Sequence, residues 1–275
     1  MTHCAANVPI IDMEPTTVTT LIIEKPETWP AELMRPLNEH RDVFIDWSQG
    51  PSEFSGRDYD FALGEVASEL QGYSLTGWHC TRLTDVEIDL ITRDGMEPLS
   101  GDMLRRRVDR LAEVGHLTWD QADRLKSAHQ ANDRSRTGML WFCFFPPHRA
   151  GRGIFDLLRF WGGEALYNSH DDDPELGPLL HRLGVPAVVE ADVPIALLKG
   201  SFRPASALVA HYLKARGLKA RDGLEFEDRI TEPLPAQCIK RVVRFPSPAF
   251  LDLTGSDEWQ SDWAETWGER GRGSY

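Results

Sequence analysis

The tetrapeptide Thr84-Asp85-Val86-Glu87 fixes where a helix must begin. A threonine hydroxyl in this position accepts from the amide three residues on. A glutamate there reaches back to the threonine amide, so two donors that the first turn would leave orphaned are satisfied together. Leu83 and Ile88 supply a hydrophobic staple, Leu83, Val86, Leu90 and Ile91 share one face, and Gly95 is a natural stop. A helix over residues 85–94 follows. Ser74 to Thr81, just before it, reads as a short strand whose end carries His79 and Thr81, two apart and therefore pointing the same way.

The rest of the chain alternates between strand and helix signals without internal repeats. Thr16 to Glu24 and Val43 to Trp47 read as short strands and Tyr59 to Leu70 as a helix, an accessory layer ahead of the His79 strand. Helices are expected from Ser100 to Gly115 and after the Thr118/Gln121 capping box. The apolar run Met139 to Phe145, stopped by Pro146-Pro147, reads as a buried strand. A helix is expected from Gly151 through Phe160, with Trp161 to Tyr167 leading into another strand. Pro174 opens a helix that ends at Gly184. Val185 to Leu198 is strand material broken at Pro194, Pro204 to Gly217 a helix, and Ile239 to Phe245 a terminal strand. Together these give an α+β fold with a mixed, mostly antiparallel sheet. The acidic tail, with Trp259, Trp263 and Trp267 spaced by four, reads as an amphipathic helix for docking on the body or on a protein partner.

No stretch approaches the roughly 20 apolar residues of a membrane helix, and the first residues lack a basic region followed by an apolar core. A cytoplasmic protein is expected. Cys4, Cys80, Cys143 and Cys238 form no C-x-x-C pair, which argues against a zinc site and a disulfide framework. The net charge of -13 is concentrated at the ends: residues 1–78 carry 4 basic and 13 acidic side chains, residues 246–275 carry 2 and 6. Indiscriminate nucleic-acid binding is therefore disfavoured. Arg105, Arg106, Arg107 and Arg110, with Arg134, Arg136, Arg149 and Arg152, form either a phosphate-binding patch or a solvated face paired with Asp102, Asp109 and Glu113.

Trp78-His79-Cys80-Thr81-Arg82, followed by the capped helix and Gly95, resembles the opening motif of the NAD-dependent ADP-ribosyltransferases. The similarity is to the branch that reads His-Gly-Thr, such as poly(ADP-ribose) polymerases and RNA 2'-phosphotransferases, with Cys80 in place of the glycine. It spans roughly residues 75–245 and implies an ADP-ribosyltransferase-like split mixed β-sheet with a helical insertion near 100–135. Residues 1–74 would then be an N-terminal accessory region, 75–245 the catalytic domain and 246–275 the tail.

The resemblance implies three positions on three strands. His79 and Thr81 would hold the adenosine ribose and support the nicotinamide end, and the backbone at Cys80 would grip the nicotinamide amide. An aromatic from Leu140 to Phe145 would pack on the nicotinamide, with Trp141, Phe142 and Phe144 competing. Phe160 or Trp161 would supply a second ring. A planar cation on such a ring gains about 1 to 2 kcal/mol. A late carboxylate, Glu232 first, Glu227 second and Glu164 as a rival, would stabilise the oxocarbenium-like charge formed when the nicotinamide bond breaks. No metal is required by this chemistry. The expected activity is NAD cleavage with transfer of ADP-ribose to a protein or nucleic acid, as in a bacterial toxin or phage-defence effector. An NAD-dependent RNA 2'-phosphotransferase, an NAD glycohydrolase and an inactive interaction module are the alternatives.

Overall fold

The computed structural model describes residues 19–255, apart from Ser201 and the side chains of residues 151–153. A six-stranded sheet is its spine. Strand β2 (Tyr73–Leu83) runs through the middle, flanked on one side by β4 (Val185–Pro194) and then β6 (Ile239–Arg244). On the other side lie β3 (Leu140–Cys143) and then β5 (Glu227–Ile230), with the short β1 (Thr19–Leu21) parallel to the start of β2. The remaining pairings are antiparallel. The fold is thus α+β with a mixed sheet.

Helix α4 (Asp85–Asp94) begins at the capping box as read from the sequence. Thr84 accepts from the Glu87 amide, Glu87 accepts from the Thr84 amide, and Gly95 sits at φ 87. The same logic places α3 (Gly56–Leu70), capped by Ser55 and Asp58, and α6 (Trp119–Ser127), capped by Thr118 and Gln121. Helices α5 (Gly101–Glu113) and α10 (Arg203–Lys214) also fall where they are expected.

Several expectations need correction. Val43 to Trp47 lies inside α2 (Arg41–Gln49), which follows α1 (Ala31–Glu39). Its apolar run serves a helix because Phe44 is buried while Trp47 stacks on Tyr59 of α3. Trp161 to Tyr167 leads into α8 (Glu164–His170), since Gly162 and Gly163 both take positive φ and turn the chain. Strand β5 was hidden in a charged segment. Residues 147–154 form a 3-10 helix ahead of a short α7 (Phe155–Arg159), and α9 (Leu176–Arg182) ends before Gly184.

Alternation along β2 gives the sheet two faces. Leu75, Gly77, His79, Thr81 and Leu83 lie on one, in register with Val193, Ala191, Val189, Ala187 and Val185 of β4. Helices α1, α2, α3 and α10 bury their apolar stripes on that face in the main core, so the described part of the N-terminal region shares the core with the sheet. Trp78, Cys80 and Arg82 point the other way, where Cys80 and Val188 pack with Ile154, Leu158, Val243 and Phe250 of α11 (Pro248–Thr254). A third core joins α5, α6, α8 and α9 around Trp161 into a helical lobe. The three tail tryptophans and residues 1–18 lie outside the described residues.

Candidate functional site

Strands β2 and β3 register at one pair, Trp78 with Cys143. Beyond it the two strands part, and His79 stands at that fork. Its Nδ1 lies 2.9 Å from the Trp141 carbonyl oxygen. A carbonyl only accepts, so Nδ1 carries the proton and a neutral ring presents Nε2 as an acceptor, with no protein partner among the described residues. Burial and the nearby charge of Arg107 outweigh the carbonyl and hold the imidazole below its ordinary value, which favours that neutral form.

The sheet sorts the candidate residues by face. His79 sits one step along β2 from Trp78, so it is level with Phe142, and Phe142 is in register with Asp228 of β5. His79, Phe142 and Asp228 therefore form one row on one face across three neighbouring strands. The His79 and Phe142 ring centroids are 6.0 Å apart. Two strand spacings, roughly 10 Å, separate the backbones at either end of the row. Thr81 shares this face. Cys80, Trp141 and Glu227 occupy the opposite face, where Glu227 is in register with Cys143 and its charge helps push the Cys80 thiol up. The structure thus brings His79 and Thr81 together but divides them from Cys80 and Trp141 by the thickness of the sheet.

The aromatic candidates separate by exposure. Trp141 is 42% exposed, with the Arg229 guanidinium 5.1 Å from its ring centroid. Phe144 is buried and stacked on Phe226 in the main core. Trp161 is fully buried in the helical lobe and donates its Nε1–H to Glu87, and Phe160 packs in the same core. Of the rings considered, only Trp141 offers a face to a ligand.

The carboxylates separate as clearly. Glu232 is exposed, two residues past the end of β5 and next to the turn that bridges Leu234 to Met96. Glu227 is exposed at the first position of β5. Glu164 lies on α8 in the helical lobe, paired with Arg136. Asp228 was missed. It is 1% exposed and accepts from the Gly200 amide at 2.7 Å and the Arg229 amide at 2.8 Å. Its signal was the alternation Phe226-x-Asp228-x-Ile230, in which an acid occupies an apolar position of a strand.

The arginines of α5 do not converge on a ligand. Arg105 pairs with Asp102, Arg106 with Glu97 and Arg110 with Glu113. Arg107 turns inward onto Glu87 and lies over the Trp161 ring. Arg149 pairs with Glu24 and Glu225. Arg82, buried at the end of β2, donates to the carbonyls of Leu158, Leu183 and Gly184, and burial lowers its pKa to about 10. It locks the exit of β2 to α7 and the start of β4. Among the described residues no helix is long and apolar enough to cross a membrane.

No family model, curated protein or solved structure matches this chain.

Proposed function

We propose that the chain is an ADP-ribosyltransferase that cleaves NAD at the nicotinamide bond and passes ADP-ribose to a macromolecular acceptor. The observation that carries this reading is the adjacency of β2, β3 and β5. The histidine and the aromatic candidates fall on β2 and β3 where the sheet forks, with Glu227 on the neighbouring β5 and Glu232 two residues past its end. The same adjacency supports an ADP-ribosyltransferase-like split sheet as the fold.

In this reading His79 Nε2 accepts from a ribose hydroxyl, held in orientation by the Nδ1 bond to Trp141. Thr81, on the same face, supplies a second hydroxyl, and backbone groups at Cys80 meet the nicotinamide amide. Trp141, on the opposite face, stacks on a planar part of NAD only if the dinucleotide passes through the fork between β2 and β3. Glu232 supplies the negative charge that stabilises the cationic ribose as nicotinamide leaves. A second assignment for the charge, Asp228, is favoured by its row with His79. It requires the backbone at Gly200 to lift, because the Gly200 amide now covers one carboxylate oxygen. An RNA phosphate acceptor calls for free basic groups at the site, and the ion-paired arginines of α5 argue for a different acceptor.

The test is incubation of the purified chain with NAD, with and without cell extract as a source of acceptors, while free nicotinamide is followed by chromatography. Release above the uncatalysed background, lost in the Glu232→Gln/Asp228→Asn double variant, is expected. No release under either condition would refute the enzyme and favour a binding module.

A further inference from the structure

The segment Lys-Ala-Arg-Gly-Leu-Lys-Ala-Arg, residues 214–221, carries four cations on a chain whose net charge is -13. Lys214, Arg216, Lys219 and Arg221 are all exposed, and none of them has an ion pair among the described residues. The arginines of α5, by contrast, are neutralised by nearby acids. The turn that presents the four is ordered. Gly217, at φ 73, closes α10: its amide donates to the Lys214 carbonyl at 2.9 Å, and the Leu218 amide to the Leu213 carbonyl at 3.1 Å. Leu218 packs on the main core and leaves its charged neighbours in solvent.

Two of the cations lie on aromatic rings. Arg216 is 3.5 Å from the Tyr212 ring centroid and donates to the Tyr212 carbonyl. Arg221 lies over the half-buried Trp47 of α2, 5.1 Å from its ring centroid. Tyr59 stacks on the same indole at 4.7 Å and 18°, so the guanidinium takes the opposite ring face. The Tyr59 hydroxyl donates to Asp222 at 2.7 Å, and Trp47, Tyr59, Arg221 and Asp222 line one cleft. This surface is at the C-terminal end of α10. The other end of that helix meets β5, where Arg203 donates to the Glu227 carbonyl, and its 12 residues span roughly 18 Å.

We propose that residues 214–221 and Trp47 form a binding surface for single-stranded nucleic acid. The inference does not depend on NAD cleavage. The four cations meet successive phosphates, and an unpaired base takes the place of the Arg221 guanidinium on the indole, which frees that cation for the backbone. A flat group already occupies that ring face, so the exchange needs no new space. A duplex keeps its bases stacked on one another and offers none to the ring. An anionic membrane would call for an apolar anchor, and the exposed large apolar side chains all lie outside residues 214–222. An acidic peptide would use the cations but not the indole. The acidic remainder of the chain does not forbid such binding, because charges beyond about 8 Å are largely screened at physiological salt.

The experiment titrates the full chain into a fluorescein-labelled RNA single strand of about 12 nucleotides and follows anisotropy from about 50 to 200 mM salt. A duplex of the same sequence, a polyglutamate peptide and phosphatidylserine vesicles are run beside it. The single strand should bind at least about tenfold tighter than the duplex. The slope of log affinity against log salt should be about -3, the value for four neutralised phosphates on a single strand. Arg216→Gln/Lys219→Gln/Arg221→Gln should weaken binding at least about tenfold and bring the slope near -1. Trp47→Leu should weaken it at least about fivefold with the slope unchanged. If Trp47→Leu fails to fold, the three surface glutamines and the duplex comparison decide. No binding of the single strand, equal affinity for the duplex, binding of the peptide or vesicles alone, or a triple variant that binds as the wild type does would each overturn the proposal.

Discussion

His79 and Trp141 are joined by a bond of 2.9 Å, imidazole Nδ1 to carbonyl oxygen, across the fork where β2 and β3 stop pairing. The bond sets the tautomer, and the tautomer sets what the site can do. With Nδ1 committed as donor, the free nitrogen can accept from a hydroxyl but cannot act as a cationic acid near neutral pH.

That arrangement predicts a binding role for His79. His79→Ala should weaken NAD affinity more than it slows the committed complex, because the same hydroxyl contact exists in the ground and transition states. Calorimetric titration in a Glu232→Gln background measures binding without turnover. Unchanged affinity would leave His79 as a strand-joining residue only.

The acid is assigned by comparing two substitutions that keep shape and remove charge. Glu232→Gln should lower nicotinamide release by at least about a hundredfold with NAD binding intact, since a carboxylate that stabilises a developing cation is needed mainly in the transition state. Asp228→Asn should have a smaller effect on turnover but should loosen the backbone at Gly200, because Oδ2 anchors the Gly200 amide. Reversal of the two effects would move the charge to Asp228.

The sequence made α4 legible to the residue because a capping box and a glycine stop are local devices, readable without knowing the partners. It did not make β5 legible. Glu-Asp-Arg-Ile has no strand propensity worth naming, and it is extended because β3 pairs with all four residues. Asp228 was overlooked for the same reason: its burial depends on pairing with Phe142, far away in the chain. The short run Val43 to Trp47 shows the opposite error, since four apolar residues in five fit a buried strand and a helix equally well. His79 and Thr81 were correctly read as pointing together, but the face each aromatic occupies is set by the register between β2 and β3.

Histidine 181 of α9 gives a pH test of the helical lobe. Its ring packs 4.2 Å from the Phe160 centroid, and burial with the charges of Arg159 and Arg82 lowers its pKa from 6.5 to about 4. Between those values the unfolded chain binds a proton that the folded chain refuses, so stability rises with pH across that window. The contribution is fully present above 6.5 and is lost as pH falls toward 4. Thermal melts over this range should therefore show a steeper acid-side decline for the wild type than for His181→Gln. Parallel profiles would mean that the ring is protonated in the fold.

Glu87 and Arg107 tie the lobe to the sheet, and their coupling is measurable. Glu87 is 5% exposed and accepts from the Thr84 amide, the Thr84 hydroxyl, the Trp161 indole and Arg107, at 2.8 to 2.9 Å. Burial alone would raise its pKa, but Arg107 and the other donors more than offset this and hold it below the ordinary value. Glu87→Gln removes the charge while keeping the volume, and leaves Arg107 facing a neutral amide over the Trp161 ring. Breaking one side of a buried pair costs about 3 to 5 kcal/mol, and the 23% exposure of the Arg107 side chain places this case near the lower end. Replacing both groups, in Glu87→Gln/Arg107→Met, should cost less than the sum of the single changes by at least about 1 kcal/mol, because no uncompensated charge remains. Since α4 packs on the sheet while Arg107 and Trp161 belong to the lobe, Glu87→Gln should raise hydrogen exchange in α5 and α6 before β2 and β4 lose protection. Additive single effects, or simultaneous loss of protection in lobe and sheet, would show that the pair does not hold the two parts together.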